Sequence, residues 1–184
     1  MTETPRGDSG PELASVVLAG TVDVPDFPKP GIVFKDLMPL FADGAAFRRV
    51  VDGLVEHYGR HSFDVVAGVE ARGFVVAAAI AYATGTGVVP VRKAGKLPRK
   101  ALSATYELEY GEATLEVHED AFIAGQRVLV VDDVLATGGT AGAALDLVER
   151  AGGTVVGFAV LMELAFLKGR ERLSPRTLHA LLTV

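Results

Sequence analysis

The segment that most constrains this chain runs from Arg127 to Arg150, RVLVVDDVLATGGTAGAALDLVER. An unbroken apolar run ends on two adjacent carboxylates, Asp132 and Asp133. A loop of small residues follows, Ala136, Thr137, Gly138, Gly139 and Thr140, and leads into a helix over Ala141 to Arg150. A strand with no polar interruption is covered on both faces, the mark of a parallel sheet in an α/β protein. In such a sheet ligands bind beyond the carboxyl ends of the strands, where both aspartates fall. Paired carboxylates there can accept hydrogen bonds from vicinal ribose hydroxyls and stabilise positive charge developing on the sugar. Closely spaced backbone N–H groups and two hydroxyls at a helix N-terminus suit a phosphate. The glycines are adjacent and no lysine follows, so the loop is neither GxGxxG nor GxxxxGK[ST].

The rest of the chain repeats the strand, loop, helix rhythm. DVVAGV (Asp64 to Val69) precedes the alanine-rich Phe74 to Gly85, which reads as a buried helix closed by glycine; VVPV (Val88 to Val91) and TVVGFAVLMEL (Thr154 to Leu164) read as further buried strands. Asp43 is a plausible N-cap for a helix whose Phe47, Val50, Val51, Leu54, Val55 and Tyr58 recur at spacings of three and four. Two stretches depart from the rhythm. VDVPDFPKPGIVFKD carries three prolines and is expected to be an ordered loop. Leu102 to Tyr110 and Ala113 to Phe122 alternate polar with apolar residues about Gly111 and Glu112, which reads as an antiparallel hairpin or flap with one wet face.

At 184 residues, 49% of them hydrophobic and 22% charged, the chain has material for one core. We expect residues 1–12, with Pro5, Gly7, Gly10 and Pro11, to be a loose tail, and 13–184 to be a single domain. A net charge of -5 gives no broad attraction to nucleic acid, and no nucleic-acid partner is expected. No segment supplies about 20 uninterrupted apolar residues, so no membrane association is expected. There is no cysteine, which removes disulfides and thiolate metal sites, and a cytoplasmic protein is expected. The scattered His57, His61, His118 and His179 form no metal spacing, so no metal-ligating residue is assigned.

VLVVDDVLATGGT resembles the phosphoribosyl-pyrophosphate motif of the type I phosphoribosyltransferases. The fold that this implies is α/β, with a central mostly parallel sheet flanked by helices, a small hood (about 20–40) and an antiparallel flap (about 98–122). DFPKPGIVFKDLMPL, GVEARGF, VRKAGKLP, YELEYG and MELAFLKGRERL are similar to the adenine-using branch of that family, from about Asp26 to the end of the chain. The resemblance implies Mg²⁺-dependent transfer of the phosphoribosyl group from 5-phosphoribosyl-1-pyrophosphate (PRPP) to adenine, giving AMP and pyrophosphate in purine salvage. Two rival readings are a metabolite sensor that keeps the fold without catalysis, and a transferase for guanine, xanthine or hypoxanthine.

By the same resemblance, Asp132 and Asp133 bind the ribose hydroxyls and Ala136 to Thr140 the 5′-phosphate. Glu70, Ala71 and Arg72 form a pyrophosphate loop with a cis peptide between Glu70 and Ala71, and Arg92, Lys93 and Lys96 add charge to it. Val33, Phe34, Lys35 and Leu164 form the adenine slot, Phe34 stacking on the base and Leu164 covering its other face. The family more usually has arginine where Lys35 stands, and lysine keeps the charge but loses the planar fork. Glu109 and Tyr110 on the flap are expected to act in proton handling and closure, and Arg72 at the leaving group. Mg²⁺ is held mainly by PRPP oxygens and water, and a homodimer is implied, with part of the basic set reaching the neighbouring subunit.

Overall fold

The computed structural model of the chain describes residues 10–107 and 111–184. Its elements, in chain order, begin with helix α1 (Gly10–Ala19), strands β1 (Val22–Pro25) and β2 (Val33–Asp36), and helices α2 (Met38–Ala42) and α3 (Gly44–Tyr58). Strand β3 (Val65–Val69), helix α4 (Gly73–Thr84) and strands β4 (Gly87–Lys93), β5 (Ala101–Glu107) and β6 (Glu112–His118) follow. The last third holds β7 (Arg127–Val131), β8 (Val134–Leu135), α5 (Gly139–Arg150), β9 (Thr154–Glu163), a 3₁₀ turn (Ala165–Leu167), α6 (Gly169–Leu173) and β10 (Leu178–Thr183).

The main sheet has the order β10-β9-β7-β3-β4-β6-β5, with β8 pairing alongside β9. The strands from β10 to β4 are parallel, and β6 and β5 join antiparallel at the edge. The chain goes from β3 outward to β4, then returns past β3 to lay down β7, β9 and β10. The reversal lies between β3 and β7, and a crevice opens beyond the carboxyl ends of strands at such a switch point.

Side-chain alternation explains why the sheet is covered twice. Val66, Leu129, Val131, Ala159 and Leu161 face a core shared with α1, α3 and α4, whereas Val65, Ala67, Val69, Val128, Val130, Phe158 and Val160 face one shared with α5. Each fully buried valine or leucine contributes about 1.5–3 kcal/mol. Neither face can turn outward without losing that burial, so the register of β3 and β7 is fixed, and with it what each strand delivers at its end. Asp43 caps α3 as expected, accepting from the Ala45 and Ala46 N–H groups at 2.9 and 3.0 Å. Gly85, at φ 73°, closes α4.

Three expectations need correction, and one strand went unanticipated. Gly10, Pro11 and Glu12 form the first turn of α1, so this part of the expected tail is helical; residues 1–9 lie outside the described residues. The proline-rich segment contains an antiparallel pair, β1 with β2, because its prolines fall at the end of β1 and in the connection, where no ladder N–H is needed. The expected hairpin is β5 with β6, and β6 ends at His118 rather than Phe122. Glu109 and Tyr110 lie outside the described residues. Finally, β10 was not anticipated, and it pairs parallel to β9. His179 lies on β10 with its ring stacked on that of His57, centroids 3.5 Å apart.

Candidate active site

The switch point gathers three loops. Glu70, Ala71 and Arg72 follow β3, Asp132 and Asp133 follow β7, and Ala136 to Thr140 lead into α5. Gly68 and Val131 are register partners on the two parallel strands, so the first two loops leave the sheet side by side. The start of α4 is pressed onto the end of β7: a Cβ at Gly73 would sit 2.8 Å from the Val131 carbonyl oxygen and 3.0 Å from Asp132 Oδ1. Glycine is required by this approach.

Asp133 is buried at 4% exposure, and Arg72 Nε lies 2.7 Å from its Oδ2. That oxygen nevertheless accepts no hydrogen bond, because the N–H is not aimed at it; the contact is an ion pair only. Asp132 Oδ1 accepts the Asp133 N–H at 2.8 Å. Burial, and then the neighbouring Asp133 carboxylate, push the Asp132 pKa well above the usual carboxylate range. Two carboxylates and a buried oxygen without a donor make a site prepared for hydroxyl donors or a cation.

The loop after β3 is tied to the neighbouring strand through Glu70. The Glu70–Ala71 peptide is cis, as the resemblance implies. Glu70 Oε2 accepts from the Lys93 N–H at 2.9 Å and from Arg92 Nε at 3.3 Å. Burial pushes the Glu70 pKa up, but the Lys93 N–H and Arg92 outweigh it, and the net shift is downward. Lys93 and Lys96 are exposed beside them.

The hood meets the same crevice through Phe34. The Arg72 guanidinium carbon lies 5.4 Å from the Phe34 ring centroid, within cation–π range, and Phe27 packs edge-on to Phe34 at 5.3 Å. Val33 is half exposed, at 50%. Lys35 is turned across the β1–β2 ladder to Asp23, its Nζ donating to both oxygens at 2.7 and 2.8 Å. Leu164, partly buried at the end of β9, is held by its N–H donating to the Leu135 carbonyl at 2.9 Å.

The loop from Ala136 to Thr140 is shaped by close backbone approach. Gly138, at φ 83°, is the N-cap of α5 and has no side-chain cap bond. A Cβ on Gly138 would fall 2.7 Å from the Gly169 carbonyl oxygen, and one on Gly169 would fall 2.2 Å from that of Ala136. Thr140 Oγ1 donates to the Tyr106 hydroxyl at 3.1 Å.

The structure therefore brings together Phe34, Arg72, Asp132 and Asp133, and sets the Glu70 cluster and the Ala136 to Thr140 loop at the same sheet end. Sequence reasoning missed three contributors. Gly169 closes the phosphate loop, and Tyr106 joins it to the flap. Glu163 is buried at 4% exposure, accepting from Arg170 Nε at 3.0 and 3.1 Å just before Leu164. A glutamate ending an apolar strand was the one signal available, since such a group needs a partner.

Among the described residues no group of three or more His, Cys, Asp or Glu converges to hold a metal, and no helix is long and apolar enough to cross a membrane. Residues 41–178 match the family model of the phosphoribosyl transferase domain. The chain is 76% identical over 188 residues to an adenine phosphoribosyltransferase of Salinispora arenicola, covering all of both chains. Among solved structures it is similar to the adenine phosphoribosyltransferase of Thermoanaerobacter pseudethanolicus, with a TM-score of 0.89, 46% identity, and 93% and 99% of the two chains covered. It is also similar to that of Saccharomyces cerevisiae complexed with adenine and an imino-altritol bisphosphate, with a TM-score of 0.87, 40% identity, and 94% and 99% covered.

Proposed function

This chain belongs to the adenine phosphoribosyltransferases, and from that premise we propose that it transfers the phosphoribosyl group of PRPP to adenine with the residues gathered at the β3–β7 switch point. The observation that carries this reading is the position of Arg72. One guanidinium touches the ring of the base slot and the ribose carboxylate, so base, sugar and leaving group share one crevice.

Phe34 stacks on adenine, the backbone around Val33 reads its edge, and Leu164 covers the opposite face. A wrong base leaves buried polar groups unpaired there. Because Lys35 is engaged by Asp23, discrimination rests on that backbone rather than on its ammonium. Asp132 and Asp133 accept from the ribose hydroxyls and stabilise charge as the C1′–O bond to pyrophosphate breaks. Ala136 to Thr140 hold the 5′-phosphate through backbone N–H groups and hydroxyls at the start of α5. Ala71, Arg72, Arg92, Lys93 and Lys96 receive the departing pyrophosphate, with Glu70 holding Arg92 and the Lys93 backbone in place. Glu109 assists proton handling at the purine, and Tyr110 closes the flap, keeping water from the sugar.

Mg²⁺ fits this crevice: two carboxylates adjoin there, the buried Asp133 Oδ2 accepts no hydrogen bond, and among the described residues the single cation beside it is Arg72. The cation would be held by substrate oxygens and water beside these two residues, and when bound it neutralises charge on the diphosphate. PRPP and AMP are highly charged and cross membranes poorly, which favours a cytoplasmic enzyme.

The chain acts as a homodimer in this reading. Val75, Tyr82 and Val88 are exposed at 45%, 92% and 47% on α4 and β4. These exposed, largely apolar side chains are the surface that a second copy would cover.

The test is pyrophosphate release with PRPP and Mg²⁺, offering adenine, hypoxanthine, guanine and xanthine in parallel. Turnover confined to adenine is expected. Turnover with another base overturns the base assignment, and no turnover with any overturns the enzyme reading.

A further inference from the structure

The flap strand and the phosphate loop are joined by a hydroxyl pair that no assigned role uses. Thr140 Oγ1 donates to the Tyr106 hydroxyl at 3.1 Å. Tyr106 Cδ2 and the Glu107 carbonyl oxygen each lie 3.1 Å from where a Cβ on Gly139 would be, so β5 comes down directly on the loop. A second tie lies further back on the same strand, where Arg150 donates to the Ser103 carbonyl at 2.9 Å.

We propose that Tyr106 is a positioning residue that couples occupancy of the 5′-phosphate loop to docking of the flap strand. The proposal rests on the reading of Ala136 to Thr140 as the phosphate site. A hydroxyl has one proton to give and two lone pairs to receive. While Thr140 donates to Tyr106 it cannot donate to an anion. When a phosphate enters, the stronger charge-assisted bond takes the Thr140 proton. Tyr106, the acceptor in the present geometry, must then re-aim its hydroxyl by a small rotation so that its own proton points to Thr140 Oγ1. The pair is kept with its direction reversed, giving a chain from Tyr106 through Thr140 to the phosphate, and bonds in such a chain polarise and strengthen one another. The strand leading to the flap tip is thus held more tightly when the loop is filled. By reciprocity, the phosphate is held more tightly when that strand is docked.

The experiment uses ribose 5-phosphate and pyrophosphate as separate probes on the full chain, with hydrogen exchange of 101–107 and 112–118 followed in each complex. Tyr106→Phe keeps the ring and removes only the hydroxyl. It is expected to weaken ribose 5-phosphate by about five- to tenfold, to leave pyrophosphate affinity unchanged, and to lose most of the slowing of flap exchange that ribose 5-phosphate causes in the wild type. The KM for PRPP rises while that for adenine does not. Arg150→Ala, which cuts the other tie, is expected to leave ribose 5-phosphate affinity unchanged. Wild-type affinity and protection in Tyr106→Phe would overturn the proposal, as would an equal loss in Arg150→Ala, since strand packing alone would then explain the effect. Failure of the wild type to bind ribose 5-phosphate would overturn the phosphate-loop reading itself, and this proposal with it.

Discussion

Arg72 and Asp133 form an ion pair without a hydrogen bond: Nε and Oδ2 are 2.7 Å apart, yet the carboxylate oxygen is buried and accepts no hydrogen bond. Its other neighbour, Asp132, has its pKa driven up by burial and by Asp133 itself. The pair of carboxylates is thus held at a cost in stability, as expected where charge is needed for chemistry.

Asp133→Asn separates stability from activity. It relieves repulsion on Asp132 and the desolvation of a buried charge, but leaves Arg72, whose side chain is 33% exposed, without its partner, so the melting temperature is expected to change little. The same change removes a charge aimed at the reacting sugar, and kcat/KM is expected to fall by about 10²–10³. Thermal unfolding and steady-state kinetics on one preparation check both. Near-wild-type turnover would remove Asp133 from the ribose site.

Arg72→Lys keeps the charge but loses the planar group that faces Phe34 and reaches Asp133 at once. A compact ammonium cannot satisfy both. We expect kcat/KM for PRPP to drop by about 10–100-fold with the circular dichroism spectrum unchanged. An unaltered rate would mean that charge alone suffices.

What the sequence disclosed and what it hid divide along locality. Asp132 and Asp133 were legible because an apolar run fixes a buried parallel strand and its end, and the Asp43 cap because its partners are two and three residues away. The covered faces of β3 and β7 were legible from composition alone. The strand β10 was not, since LHALLT acquires its meaning only beside β9, and the β1–β2 pair was concealed by prolines that sit at the ladder's end and in the connection. Gly169 and Tyr106 matter through contacts about thirty residues away, which no local pattern encodes. Lys35 was recognised as unusual, but its bond to Asp23 depends on a strand pairing that had been read as a loop.

Gly169→Ala tests the most confined of these distant contacts. A methyl group there would sit 2.2 Å from the Ala136 carbonyl oxygen, a backbone atom that cannot swing aside. The phosphate loop or α6 must move, at a cost of about 1–3 kcal/mol. Loss of stability of that order in urea unfolding, with a raised KM for PRPP, is expected. Unchanged values in both would show that the loop is looser than this packing implies.

The stacked rings of His57 and His179 give the fold an acid limit. Burial, then the His57 ring and Arg170, lower the His179 pKa to about 4, and burial lowers that of His57 as well. Tyr58, edge-on to both rings, adds bulk without charge. In the unfolded chain His179 takes up its proton near its ordinary value of 6.5. Between those values the unfolded state binds a proton that the native state refuses, so unfolding free energy falls as pH falls from about 6.5 toward 4. Above that window His179 is neutral in both states and contributes no pH dependence; below it, both states are protonated and its loss is complete. His179→Gln is expected to flatten the decline in melting temperature between pH 6.5 and pH 4.5 while leaving a residual slope from His57. A decline as steep as in the wild type would assign the acid limit to groups other than His179.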